Sequence, residues 1–283
     1  MRLIADSGST KTDWVLTDKG QVVGSWKTQG INPCHQQPAE IRQVLCTELF
    51  PLSDSKSLSD IQLSFYGSGC TADLIPTMTT LLADSFQLST DSIEVAGDLL
   101  AAARAVCGHE EGIACILGTG ANSCLYDGQH IVQNTPPLGY ILGDEGSGAV
   151  LGERFLNGIF KGSLPASLRD LYLEETGQSY ADVIRRVYRE PLANRYLASV
   201  ALFVSRHLEE ECLKKLVKDN FSDFILRNIE PYHSRLPIGF VGSVAYGFTE
   251  LLTEVCHDFG YEVNGIDKSP LVGLMQRYYV DEC

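Results

Sequence analysis

Seven consecutive residues near the start, Asp6-Ser7-Gly8-Ser9-Thr10-Lys11-Thr12, place a carboxylate, a glycine flanked by hydroxyls and a lysine within one short turn. Phosphate chemistry uses these parts: backbone N–H groups and hydroxyls cradle anionic oxygens, a cation neutralises them, and a carboxylate holds Mg²⁺. A Walker A loop would need glycine before the Lys-Thr pair and a helix after it. Here Thr10 stands before the pair and an apolar strand pattern follows it. Taken alone, the segment reads equally as a polar β-hairpin with a solvated lysine. A second turn, Gly118-Thr119-Gly120, leads through Ala121-Asn122-Ser123 into Cys124-Leu125-Tyr126 and the hairpin turn Asp127-Gly128, where a Rossmann unit would need a helix. Gly67-Ser68-Gly69-Cys70-Thr71-Ala72 imitates a dinucleotide fingerprint better, but it does not open its repeat, and a lone motif of this kind is weak. Two further carboxylates stand out. Asp98 opens the Ala-rich helix of Val95 to Ala103, where an acid is also a common cap. Asp144 lies in Asp144-Glu145-Gly146-Ser147, at a helix start that favours acids.

The elements that must position these residues repeat. In the first copy, Arg2 to Ala5 reads as a strand, Asp6 to Ser9 as a turn, Thr12 to Thr17 as a strand, Asp18-Lys19-Gly20 as a turn and Gln21 to Thr28 as a third strand. In the second, Gly112 to Leu117, Ala121 to Tyr126 and Gln129 to Gln133 take the same places. After the first copy come a helix from Pro38 to Phe50, a strand from Ile61 to Tyr66 and a helix from Thr71 to Phe86. The second is interrupted by a helical stretch, about 155 to 227, before a strand at Ile238 to Val241, a helix from Val244 to Phe259, a strand at Tyr261 to Ile266 and a last helix from Pro270. This alternation predicts α/β layers around mixed sheets. The expected domains are 1–107, joined by the C-terminal helix of about 270–283, and 108–269.

With 44% hydrophobic residues in 283, the chain can bury a large core. A net charge of -14 without any basic cluster argues against a nucleic-acid partner. The start does not read as a signal peptide and no apolar run reaches membrane-spanning length, so a cytoplasmic protein without a membrane partner is expected. Nine irregularly spaced cysteines predict reduced, buried thiols rather than a disulfide framework or metal knuckle.

The two glycine turns, with Val241-Gly242-Ser243-Val244 downstream, resemble the two phosphate motifs and the adenosine motif of the actin/hexokinase superfamily of ATPases. Within it the chain resembles the BadF/BadG/BcrA/BcrD family, which includes N-acetylglucosamine kinase. The sharpest stretches are Leu117 to Asn122, Gly139-Tyr140-Ile141-Leu142-Gly143-Asp144-Glu145-Gly146-Ser147, and Val241 to Val244 leading into Glu250-Leu251-Leu252. The resemblance implies two ribonuclease H-like domains with a helical insertion in the second, and transfer of the γ-phosphate of ATP, with Mg²⁺, to the 6-hydroxyl of an amino sugar. It further implies that Asp6 holds Mg²⁺ through water, that Gly8, Ser9, Thr10 and Lys11 face the phosphates, and that Gly118, Thr119 and Gly120 clamp them. Gly242 and Ser243 would line the adenosine, and Asp98 would be the catalytic base. Asn32, Asn122, Gly139, Tyr140 and Asp144 would meet the sugar hydroxyls, which amides and carboxylates suit. One departure is Leu138, where N-acetylglucosamine kinases often carry Trp.

Other readings stay open. One is an activating ATPase of a radical dehydratase, holding an iron–sulfur cluster between subunits through cysteines. Another is a sugar sensor that has lost turnover. A homodimer is also left open.

Overall fold

The computed structural model describes residues 1–8, 10–52 and 61–280, so Ser9 and Cys283 lie outside the described residues. The chain forms two compact units, Met1–His109 with Pro270–Cys283, and Glu110–Ser269.

The first unit runs β1 (Arg2–Ser7), β2 (Lys11–Asp18), β3 (Gln21–Gln29), α1 (Pro38–Val44), β4 (Gln62–Gly67), α2 (Ile75–Phe86), β5 (Ile93–Gly97) and α3 (Asp98–Cys107). Its sheet has the order β3-β2-β1-β4-β5, with β1, β2 and β3 antiparallel and β4 and β5 parallel to β1. Lys19 and Gly20, both at positive φ, make the two-residue turn between β2 and β3. Alternation along the strands sends Leu3, Ala5, Trp14, Leu63 and Phe65 into a core shared with Ile41 of α1 and Leu82 and Phe86 of α2.

The second unit repeats the plan with β6 (Glu111–Leu117), β7 (Ala121–Asp127), β8 (Ile131–Gln133), β9 (Ile238–Val241) and β10 (Val263–Asp267), in the order β10-β9-β6-β7-β8. Between β8 and β9 lie α4 (Gly139–Leu142), α5 (Gly148–Lys161), α6 (Ala166–Thr176), α7 (Tyr180–Tyr188), α8 (Ala193–Ser199), α9 (Ala201–Arg206) and α10 (Glu211–Phe224), the last continued by a π-helical turn, Ile225–Ile229. Between β9 and β10 lie α11 (Ser243–Gly247) and α12 (Thr249–Asp258). Ile113, Cys115, Leu117 and Phe240 of this sheet share one core with Phe155, Phe203, Phe221 and Phe224 of the insertion.

The chain then returns to the first unit as α13 (Pro270–Gly273) and a π-helical turn, Leu274–Tyr278. A Cβ on Gly273 would stand 2.4 Å from the carbonyl oxygen of Ala105, so α13 and α3 pack backbone to backbone. Arg104 of α3 is buried and donates to the Tyr66 hydroxyl at 2.7 Å and to Glu94 Oε1 at 2.7 Å, while the hydroxyls of Tyr66 and Tyr279 stand 2.5 Å apart. A buried polar network of this kind, although it leaves Arg104 Nε without a hydrogen-bond partner among the described residues, favours one arrangement of the returning segment.

Several boundaries differ from the sequence reading. The helix expected from Thr71 begins at Ile75, because Pro76 has no N–H and fits only a first helical turn. The helix expected from Val244 to Phe259 breaks after Gly247, where Phe248 leaves helical geometry at φ -123° and buries its ring. The helix from Pro38 ends as α at Val44 and continues as a π-helical turn to Leu49. The strand expected from Gln129 starts at Ile131, since the N–H groups of Gln129 and His130 turn back to Asp127 Oδ1. The helices of the insertion begin before 155, at Gly148, where Ser147 Oγ accepts from Val150 N at 3.2 Å as an N-cap. Cys70, Cys107, Cys115, Cys124 and Cys256 are buried, but Cys34 and Cys46 are exposed, correcting the expectation of buried thiols at those two positions.

Candidate active site

In the first unit the register brings three strand ends level: Ser7 of β1 pairs with Gly67 of β4, and Gly67 with Gly97 of β5. The residues that follow, Gly8, Ser68 and Asp98, therefore leave the sheet side by side along the carboxyl ends of its parallel strands, where open α/β sheets bind ligands. Neighbouring strands lie about 4.8 Å apart, so the ends of β1 and β5, with β4 between them, are separated by about 10 Å.

The turn after β1 is built from inside. The fully buried hydroxyls of Ser7 and Thr12 meet at 2.6 Å, Ser7 Oγ donates to the Ile31 carbonyl at 2.8 Å, and the Ile31 N–H returns to Ser7 Oγ at 2.9 Å. Gly8 N–H donates to the Lys11 carbonyl at 3.0 Å, and a Cβ on Gly8 would meet nothing closer than 3.8 Å, leaving its face open to a ligand. Thr10 is exposed. Lys11 Nζ lies 2.6 Å from Asp13 Oδ2, and Asp13 sits directly across the β1–β2 ladder from Asp6. The Lys11 side chain is 58% exposed, so this ion pair is worth little and gives way easily to a stronger anion.

Asn32 follows β3. Its Oδ1 accepts from Cys34 N at 2.9 Å and its Nδ2 donates to Ser68 Oγ at 3.4 Å. A Cβ on Gly69, which has φ +87°, would stand 2.3 Å from Asn32 Oδ1, so only glycine fits there. Asp98 is the first residue of α3. Burial pushes its carboxyl above the ordinary range, against the N–H groups of Leu99 and Asp98 itself, which favour the charged form. The Cys70 thiol beside it is pushed up to about 12, by burial first and then by the charges of Asp98 and Cys34.

In the second unit Gly118, Thr119 and Gly120 turn between β6 and β7, with Gly118 N–H bonded to the Gly120 carbonyl at 2.9 Å. The first N–H groups of α5 close onto this turn, Gly148 to the Gly118 carbonyl at 2.9 Å and Ala149 to that of Thr119 at 3.2 Å. Asp144 lies against it: a Cβ on Gly120 would be 3.0 Å from Asp144 Oδ2. Burial raises the Asp144 carboxyl above its usual range, opposed by the Ala121 N–H and reinforced by the charge of Glu145. Gly242, at φ +130°, brings β9 so close to β6 that a Cβ would stand 2.2 Å from the Leu117 carbonyl oxygen, and Ser243 follows it as the exposed first residue of α11.

Thus Gly118, Thr119, Gly120, Asp144, Gly242 and Ser243 come together in the second unit, and Asp6, Gly8, Asn32 and Asp98 share the strand ends of the first. Asn122 stands next to the glycine turn, but its Oδ1 is already engaged by Ser123 N and Asn134 Nδ2, each at 2.9 Å. Gly139 lies on α4, its carbonyl accepting from Gly143 N–H at 2.8 Å. Tyr140 lines a groove of about 630 Å³ whose walls include Gly143 and Glu145, the residues on either side of Asp144, together with Tyr188 and Arg227. Another cavity, of about 290 Å³ beside Arg2, Lys19 and Tyr279, contains none of the candidate residues. The sequence pattern does not mark Asn220 and Asn228, because their contacts lie more than seventy residues away in the chain, nor Asn134, which crosses from the segment after β8 to Asn122 and Ser123 of β7. Among the described residues no group of three or more His, Cys, Asp or Glu side chains could hold a metal ion. No helix among them is long and apolar enough to cross a membrane.

No protein-family model and no curated protein matches the chain significantly. Solved structures do. One, a proposed N-acetylglucosamine kinase from Porphyromonas gingivalis, is 46% identical over 99% of both chains, with a TM-score of 0.94. The chain belongs to the N-acetylglucosamine kinase-like family. A second protein proposed to have that activity, from Chromobacterium violaceum, is 17% identical over 97% of both chains, with a TM-score of 0.70, and shows the common fold. MreB 5 of Spiroplasma citri, solved with AMPPNP, shows the fold at 10% identity, with a TM-score of 0.53 over 93% of this chain and 90% of the other. The two mixed five-stranded sheets of this N-acetylglucosamine kinase-like chain are therefore those of the actin/hexokinase fold, as the motif order implied.

Proposed function

We propose that the chain is an ATP-dependent sugar kinase, transferring the γ-phosphoryl group of MgATP to the 6-hydroxyl of N-acetylglucosamine. The observation that carries the reading is the 46% identity across 99% of both chains to a protein proposed to have that activity. The duplicated sheet, with a glycine turn after the first strand of each copy, supports the phosphate chemistry.

In this reading Gly8, Thr10 and Lys11 of the first unit, with Ser9, and Gly118, Thr119 and Gly120 of the second face the phosphates, while Gly242 and Ser243 take the adenosine side. Asp6 offers one carboxylate beside an open turn. That suits Mg²⁺, which binds through one or two carboxylates and keeps water and phosphate oxygens as its other ligands. The cation would neutralise charge on the transferring phosphoryl group. Asn32, Asn122, Gly139, Tyr140 and Asp144 are assigned to the sugar, and Asp98 to accepting the proton of its attacking hydroxyl. The raised Asp98 carboxyl makes it a better base than an ordinary aspartate at the same pH. A coupled ADP-release assay across a panel of hexoses tests the function. Turnover above background with N-acetylglucosamine is expected, and turnover with no sugar in the panel would overturn the reading.

A further inference from the structure

We infer that the buried face of α10 and its π-helical continuation is the positioning element for Asp144 and, through it, for the Gly118–Gly120 turn, with Asn220 and Asn228 as the positioning residues. The inference deepens the proposed function, since it rests on Asp144 meeting the sugar.

The loop carrying Asp144 is poorly suited to hold its own shape. Leu138, Gly139, Asp144 and Gly146 all have positive φ, and for the two non-glycine residues that conformation is unfavourable. Such a segment persists only where its surroundings determine it. The surroundings here come from the insertion, which has no counterpart among the described residues of the first unit. Asn220, fully buried on α10, accepts from Gly146 N at 3.4 Å and donates to the Ser147 carbonyl at 3.3 Å, bracketing the turn just after Asp144. One helical turn further on, Phe224 packs against the loop: a Cβ on Gly146 would be 2.8 Å from Phe224 Cβ and 3.2 Å from Leu117 Cδ2. The π-helical turn then brings two more side chains to the next residue, Asn228 Nδ2 donating to Glu145 Oε2 at 3.4 Å and Arg227 Nη1 pairing with Glu145 Oε1 at 3.5 Å. The positions 220, 224, 227 and 228 are a helical stripe, one face of one element.

On its other side the same loop is fastened to the phosphate turn. The Gly148 and Ala149 N–H groups bond the Gly118 and Thr119 carbonyls, and the Ala121 N–H bonds the Asp144 carboxylate. A shift of the loop off α10 therefore moves the candidate sugar ligand and the candidate phosphate turn together.

The test replaces Asn220 by Leu, which keeps volume and apolar packing but removes both hydrogen bonds. Hydrogen exchange is read by mass spectrometry on wild type and variant. Exchange should accelerate about tenfold, the net worth of two hydrogen bonds, within 144–149 and 118–121 while β9, β10 and α12 are unchanged. Uniform acceleration across the unit would mean a general core defect, and no acceleration would mean no positioning; either overturns the inference. In the ADP-release assay the same variant should show a sugar KM raised about tenfold with kcat much less affected, and Asn220→Asp, which keeps the acceptor for Gly146, an intermediate value. Should Asn220→Leu not fold, Asn228→Ala is read in the same way through Glu145. If the wild type turns over no sugar, the proposed function fails while the exchange measurement still decides the positioning role.

Discussion

Replacing Gly242 by alanine should destabilise the second unit severely, whereas replacing Gly118 should leave it folded. At Gly242, φ of 130° and ψ of 160° lie in a region open essentially to glycine; occupying it with a side chain costs about 1–3 kcal/mol. The added Cβ would also stand 2.2 Å from the Leu117 carbonyl oxygen and 2.7 Å from its carbon. These are main-chain atoms that cannot rotate away, so β9 and β6 would have to separate, at the further 1–3 kcal/mol typical of overpacking. The sum, about 2–6 kcal/mol, takes up a large part of the roughly 5–15 kcal/mol that holds a domain together. At Gly118 no atom lies within 4 Å of an added Cβ. There the loss of stability should stay within about 0.5 kcal/mol, while nucleotide binding weakens if the turn approaches phosphate. Urea unfolding of both variants, with and without MgATP, separates the two effects. A Gly242→Ala midpoint equal to wild type would refute the close approach of the two strands. A Gly118→Ala protein with normal MgATP affinity would refute the phosphate role of the turn.

Asp98→Asn should lower kcat by roughly 10²–10⁴-fold while sugar affinity, measured by calorimetry, is retained. Because the folded state holds the Asp98 proton more tightly than the unfolded chain does, ionisation costs stability as pH rises above the ordinary carboxylate range. The asparagine variant should therefore melt higher than wild type at pH 7 and lose that advantage below about pH 4; a lower melting point at pH 7 would contradict the burial of this carboxylate. Asp6→Asn should remove the Mg²⁺ dependence of thermal protection by ATP, and unchanged Mg²⁺-dependent protection would discharge Asp6 from the cation site.

The repeat was legible because hairpin turns leave strong local marks. Lys19-Gly20 and Asp127-Gly128 punctuate the same three-strand pattern twice, and the structure returns the same strand order in both units. The positions of Asp6 and Gly118 were legible because each lies at the end of an apolar strand pattern, whereas the strand Ile93–Gly97 that leads into Asp98 was hidden by the helical pattern of the alanines after it. What the chain hid was long-range. Nothing near Asn220 announces that it brackets a loop more than seventy residues away. Helix ends were blurred where local preference and packing disagree, as at Phe248, whose burial in the core outweighs continuation of the helix.

The return of residues 270–280 to the first unit also sets an order of assembly. On a ribosome the strands β1 to β5 and α3 emerge first, yet the cover of the face on which α3 packs is incomplete until α13 and Tyr279 have been synthesised. The second unit is continuous in the chain and has everything it needs before then. Usual practice is for domains to fold in the order they are made. Here the earlier unit waits for the later one, holding Tyr66 and the polar side of α3 uncovered in the meantime. Shortened chains ending before Pro270 should consequently keep the second unit and lose the first, the reverse of what a C-terminal deletion ordinarily removes.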